Sequence, residues 1–390
     1  AVQMRGAAAT TTLVTNIDYD AKGQRTRIEY GNGVSTAYTY DPDTFRLTKL
    51  LTLRDETHRQ RKLQDLQYTY DPVGNITQIR DQAQPEIYFR NQVVTAQSDY
   101  TYDALYQLIA ATGREHLGQT AGGERQAPQP GSHTDIPRVN LAHPGNGQAM
   151  GRYRQEYVYD AVGNILEMVH RSTDAEHQGW RRCYQYALDS NRLLSTGYRS
   201  EELACPEENR YGQESVYAQK YSYDPHGNMV TMPHLPKMQW DFEDQLMASA
   251  QQVRTDGGTP ETTYYVYDAG GQRVRKVTER QAAPGIEPTR MKERIYLGGF
   301  EIYREYNGEG ENVVLERETL HGMDDQQRIA LIETKTYEHK DGEILAAQKP
   351  LIRYQLGNHL GSAAVEVDGD GKVISYEEYY PYGNTAYQAV

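Results

Sequence analysis

One short phrase recurs along this 390-residue chain, and it limits the fold more than any other feature. It reads Tyr68-Thr69-Tyr70-Asp71-Pro72-Val73-Gly74-Asn75-Ile76. Close copies are Tyr157-Val158-Tyr159-Asp160-Ala161-Val162-Gly163-Asn164 and Tyr221-Ser222-Tyr223-Asp224-Pro225-His226-Gly227-Asn228. A fourth is Tyr265-Val266-Tyr267-Asp268-Ala269-Gly270-Gly271-Gln272, and looser versions lie at Tyr19-Asp20, residues 38–44 and residues 100–106. Recurrence on this scale marks a repeat architecture.

Each copy encodes a hairpin. The two tyrosines, two residues apart, share one face of a strand. Asp71 suits the first position of a type I turn, Pro72 the second and Gly74 the fourth. Gly74 also fits a left-handed bulge that leads into the return strand. Thr44 and Tyr106 stand where Gly74 would be. A bulky residue in the left-handed region costs roughly 1–2 kcal/mol, so these two turns are expected to use another geometry. The spacing is uneven, 30 residues from Tyr40 to Tyr70 but 57 from Tyr102 to Tyr159. The expectation is one continuous all-β sheet, residues 1–390, whose loops vary.

A chain this long exceeds the size at which single compact cores stop growing, about 250–300 residues. An extended sheet avoids that limit because it never needs one thick core. The 33 Tyr against 4 Phe and 2 Trp suit strands whose rings pack while their hydroxyls stay wet. A net charge of −13 argues against a general nucleic-acid binder, though a local basic patch is compatible with it. No run approaches the ~20 apolar residues of a membrane helix, and the first residues do not read as a secretion signal.

Residues 113–152, rich in Gly and Pro, are expected to form a long loop insertion. Residues 52–66 read as a polar connection or a short helix. Cys183 and Cys205 could form one bridge, but two thiols, on a strand and in a loop, are the favoured reading. His116, His133, His143, His170 and His177 lack ligand spacing and are expected to be polar surface groups. Asp368-Gly369-Asp370-Gly371 reads as a plain turn, since Tyr379 occupies the place of a calcium loop's last acidic ligand. Asp71, Asp160, Asp224 and Asp268 could be carboxylates for sugar hydrolysis. All four hold the same turn position, however, so turn capping explains them together. No catalytic, cofactor or metal site emerges.

The last stretch carries Gly357-Asn358-His359-Leu360-Gly361-Ser362 and, further on, Glu377-Glu378-Tyr379-Tyr380-Pro381-Tyr382-Gly383. With the Tyr-Asp copies, and with residues 100–108 and 111–116, these resemble the Rhs/YD-repeat family. The likeness is to the repeat region of toxin-complex (Tc) C subunits and related large insecticidal toxin chains. That resemblance implies hairpins in a spiralling sheet, part of a hollow cocoon that encloses a C-terminal toxin until delivery. It implies a secreted protein closed by a B-type subunit or by the rest of the same polypeptide, with a pore-forming A-type subunit as a further partner. Residues 353–383 would be the terminal hairpin of the repeat region. The family's aspartate-based self-cleavage core and its toxin find no matching positions after Gly383, so the piece is expected to be wall rather than enzyme. The rival reading is an exposed repeat surface that binds glycans or a cell-surface protein.

Overall fold

The structure, a computed structural model, describes residues 11–55, 61–118, 146–174, 179–324, 327–340, 343–345 and 348–389. They form antiparallel sheet almost throughout, with one 3-10 turn at Glu207–Asn209. An N-terminal sheet of fourteen strands runs from Val14–Tyr19 to Gln219–Lys220 in chain order. A separate small hairpin, Ile87–Phe89 with Gln92–Val94, interrupts it, and Tyr211–Gly212 adds a parallel partner to Trp180–Ala187. A C-terminal sheet of thirteen strands runs from Lys237–Trp240 to Thr385–Ala389. Ser222–Tyr223, paired with Met229–Thr231, bridges the two. Among the described residues no helix is long and apolar enough to cross a membrane.

The two sheets pack on each other. Leu13, Ile28, Tyr30, Val34 and Leu63 of the first meet Ile329, Ile332, Tyr354, Leu356, Val365 and Val367 of the second in one buried cluster. Burying each such side chain is worth about 1.5–3 kcal/mol. Asn32 Nδ2 donates to Asp368 O (2.9 Å) and Gln64 Nε2 to Gly357 O (3.3 Å), tying the chain's start to its end.

Several expectations need correction. Residues 113–116 and 150–152 are strand, not loop: Gly113 pairs with Tyr153 and His116 with Met150. Cross-strand pairing there overrides the glycine content; residues 119–145 lie outside the described set. Residues 52–66 hold no helix among those described, since Leu47–Leu53 pairs with Lys62–Tyr70. Residues 353–383 are not a terminal hairpin. They span three strands, and the Tyr380–Gly383 turn leads into a fourth, Thr385–Ala389.

Cys183 and Cys205 form a disulfide. The connection after Ser200 folds back over the strand Trp180–Ala187, where Arg181 Nη2 donates to Glu201 O (2.7 Å). His116 and His170 are each only 1% exposed and so are not surface groups. Gly118 N donates to His116 Nδ1, which supplies the partner that lets the ring be buried. His133, His143 and His177 lie outside the described residues. Tyr106 adopts φ +64° with the same closing bonds as a glycine turn, Tyr106 N to Asp103 O at 3.1 Å. Asp103 Oδ1, accepting from Leu105 N and Gln107 N, offsets that strain. The 41 turn is one residue longer, with Phe45 at φ +60°.

Candidate functional site

The turn edge is built from the aspartates outward. Asp71 Oδ1 accepts from Gly74 N (2.7 Å) and Asn75 N (2.8 Å), and its Oδ2 accepts from Asn75 Nδ2 (2.8 Å). Asp160 does the same with Asn164, and Asp224 with Gly227 and Asn228. Asp268 Oδ1 accepts from Gly270 N and Gln272 N. Partial desolvation opposes the charge on Asp71. The Asn75, Gly74 and Val73 hydrogen bonds outweigh it and hold the carboxyl below its ordinary range. Gly74, Gly163, Gly227 and Gly271 all take positive φ. At Gly74 the φ of +113° is what favours glycine, and a Cβ there would also displace the Arg46 guanidinium, 2.9 Å away.

The tyrosine before each aspartate has a second task. Its hydroxyl donates to the first carbonyl of the return strand in the preceding hairpin. Tyr70 reaches Leu47 O (2.7 Å), Tyr102 reaches Ile76 O (3.0 Å) and Tyr159 reaches Leu108 O (2.7 Å). Tyr223 reaches Leu193 O and Tyr267 reaches Leu246 O, both at 3.0 Å. Trp240 stands in with its indole, Nε1 to Met229 O at 2.8 Å. Arg46 adds a clamp: its guanidinium lies over the Tyr70 ring and Nη1 donates to Asp71 O. Each of these hairpins is thus fastened to its predecessor by a side chain, which for Ser222–Tyr223 and Met229–Thr231 acts where no ladder does.

The first tyrosines make varied contacts, some within their own sheet and some across to the other. Tyr68 is buried in a cluster with Leu50 and Leu66 that Tyr70 also joins, and it meets the edge of His359. Tyr157 meets Tyr382 edge-on at 5.0 Å. Tyr221 OH lies 3.3 Å from Arg182 Nη2, and Tyr265 OH 3.0 Å from Ser249 Oγ.

A polar seam joins the sheets, and the sequence reading missed it. Buried Arg114 donates from Nε to both carboxylate oxygens of Glu378, while Tyr376 OH donates to Glu378 Oε1. Burial works against the Arg114 charge, but Glu378 more than compensates and raises its affinity for the proton. Glu115, fully buried, accepts from Tyr380 OH and lies 3.0 Å from His170 Nε2. Tyr153 and Trp180 stack on the His170 ring. No local pattern signals this seam, because Arg114 and Glu115 find Glu378 and Tyr380 over 260 residues away in sequence. Near the turn edge a cavity of about 690 Å³ opens between the sheets, lined among others by Tyr30, Tyr38, Tyr40, Arg25, His321 and His359.

Fold and turn lattice together define a Tyr-Asp repeat protein of the Rhs/YD type. No family model matches the chain. It is 31% identical over 376 residues to toxin subunit YenC1 of Yersinia entomophaga, covering 96% of this chain and 35% of the relative. Toxin subunit YenC2 of the same organism is 31% identical over 380 residues, with the same coverage of each chain. The chain is a homologue of toxin-complex subunits and resembles the repeat region of their C subunits. It spans about a third of the length of these curated relatives, 35% in each case. Among solved structures, a TcdB2-TccC3 crystal structure is 29% identical with a TM-score of 0.75, over 99% of this chain and 17% of that one. A Tc holotoxin pore of Photorhabdus luminescens is 28% identical with a TM-score of 0.72, over 97% and 16%.

Proposed function

We propose that this chain is a structural wall segment of an Rhs/Tc-type shell that sequesters a toxic effector until delivery. The observation that carries the reading is the locked ribbon. Hairpin after hairpin is fastened to its neighbour by a tyrosine hydroxyl, and the last strands return to pack on the first. Such a ribbon makes a wide surface whose strands are held to one another along its length, with its main buried cluster where its two ends meet. The Tyr, Asp, Gly and Asn residues of the repeats serve as its lattice points rather than as a catalytic site. The relatives' names and the Tc structures point to assembly with other Tc subunits. A B-type subunit or the remainder of a longer polypeptide would close the shell around a C-terminal toxin, with an A-type subunit for translocation. The disulfide favours a secreted protein in an oxidising setting.

The test is a three-dimensional electron-microscopy reconstruction of the natural full-length protein. A hollow particle with these residues in its wall and density inside supports the reading, whereas a solid particle overturns it. The rival, a glycan-binding surface, draws on the tyrosine-lined cavity near His359. Saturable binding on a glycan array, lost on substitution of Tyr38 and Tyr40, would favour it.

A further inference from the structure

The register of the C-terminal sheet sets out a row that no single strand reveals. Tyr265 pairs with Lys276, Lys276 with Arg294, Arg294 with Tyr303, Tyr303 with Arg317 and Arg317 with Lys335. Directly paired residues share a face, so these six side chains cross six strands in one line. At about 4.8 Å per strand the line is roughly 24 Å long. It holds four cations, two tyrosines and no carboxylate. Alternation along Val313–Asp324 puts it on the face opposite Leu320, which packs against the core.

Arg273 and Lys292 widen the row at its Tyr265 end. Arg273 lies over Tyr265 and Tyr296, and Arg294 over Tyr303. Like charges directly opposite each other destabilise a sheet. This sheet nonetheless sets Lys276 against Arg294 and Arg317 against Lys335. Arg294, Arg317 and Lys335 are balanced by Glu301, Glu333 and Glu338 from the flanking rows. Among the described residues neither Lys276 nor Lys292 has a carboxylate within ion-pair distance. Partial burial and the cations Arg273, Arg294 and Lys292 all press the Lys276 amine toward neutrality. In a chain of net charge −13, Lys276 set among Arg273, Lys292 and Arg294, with Glu305 opposite Lys292 as the nearest paired carboxylate, needs a partner.

We infer that this row is a docking track for an extended, carboxylate-bearing polypeptide segment. An extended peptide presents same-face side chains about 6.7 Å apart, so a few Asp or Glu residues along the line can reach the cations while the tyrosines hold the intervening stems. A nucleic acid carries charge at every unit. It would meet Glu301, Glu305, Glu333 and Glu338, which border the line on both sides, as well as the negative charge of the whole chain. The inference goes beyond the shell reading, because it assigns a ligand chemistry to one face whatever the particle's shape.

The test is fluorescence anisotropy of a dye-labelled peptide in which Glu alternates with Ser, so that its carboxylates share one face, titrated with the intact protein. We expect saturable binding that weakens as salt rises. Lys276→Met with Lys292→Met should weaken it at least tenfold, while Lys220→Met, remote from the row, leaves it unchanged. Lys276→Glu should weaken binding further than Lys276→Met, because it sets a carboxylate in the middle of the track. Lys276→Met alone should also raise the thermal midpoint, because it removes cation repulsion and keeps the stem. Absence of saturable binding, indifference to the double variant, or tighter binding of a thymidine oligonucleotide overturns the assignment. So does a lowered midpoint in Lys276→Met, which would place the amine's partner within the fold.

Discussion

Replacing Tyr70 with Phe removes one oxygen and keeps the ring under the Arg46 guanidinium. What is lost is the 2.7 Å bond to Leu47 O, which is partly buried and crosses from one hairpin to the previous one. A net hydrogen bond of this kind is worth about 0.5–1.5 kcal/mol, and a stranded, half-buried carbonyl pushes toward the upper end. The expected loss is therefore about 1 kcal/mol. If the chain unfolds as a unit, an unfolding entropy of about 2.1 cal/mol/K per residue makes this only about a 1 °C shift. Denaturant titration is thus the better assay, since a fixed m-value turns the loss into a midpoint shift. Tyr102→Phe removes the next rung, to Ile76 O, and should cost a similar amount. Tyr88→Phe is the control, because that ring is 73% exposed on the small side hairpin and should be silent. If Tyr70→Phe proves as silent as Tyr88→Phe, the hydroxyl lattice contributes nothing and the ribbon is held by its ladders alone.

Other perturbations probe the seam and the covalent link. Arg114→Met leaves the Glu378 carboxylate without its cation in a largely buried site and should cost about 3–5 kcal/mol; adding Glu378→Leu should recover much of that in a double-mutant cycle. Burial pushes the His359 imidazole down to about 4. Below about pH 6.5 the unfolded chain takes up this proton while the folded chain refuses it. Stability should therefore fall between about pH 6.5 and 4, and His359→Gln should flatten that part of a denaturation series. Reducing the Cys183–Cys205 bond, which closes a 22-residue separation, should cost about 3 kcal/mol and expose the 201–218 connection to limited proteolysis. A thiol titration of the denatured, unreduced protein should find none.

The hairpins were legible because their cues are local. An Asp, a Pro or Ala, and a Gly at fixed offsets define a turn whatever surrounds them. The tyrosine hydroxyls were not legible, because their acceptors are backbone carbonyls in a different hairpin and so carry no sequence signature. The seam failed for a related reason: Arg114 and Glu115 sit in what reads as the start of a loop, and Glu378 and Tyr380 make sense only once the end of the chain lies against it. Tyr106 shows the opposite error. A steric rule excluded a conformation that side-chain bonds from Asp103 stabilise enough to keep. Cys205 was assigned to a free loop, although it is buried where that loop folds back over its own strand.

The lattice also accounts for how the chain distributes its variation. Successive Tyr-Asp turns fall on the same edge of the ribbon, since each is separated from the next by a strand out and a strand back. On that edge most of the Tyr-Asp turns are bonded to a neighbour in this way, so one added residue would misplace both the tyrosine donor and the carbonyl it needs. The 41 turn, one residue longer, keeps the rung only because Tyr70 takes the carbonyl of Leu47, one position further along. The opposite edge lacks this tyrosine pattern among the described residues, and its side-chain bonds, such as Thr289 Oγ1 to Gly308 O, are occasional. It is there that the chain makes its long excursions, after Asp81, after His116 and after Ser200, and there that a disulfide rather than a hydroxyl fastens one of them. The uneven spacing of the repeats is thus the expected outcome of a ribbon fastened more regularly along one edge than along the other.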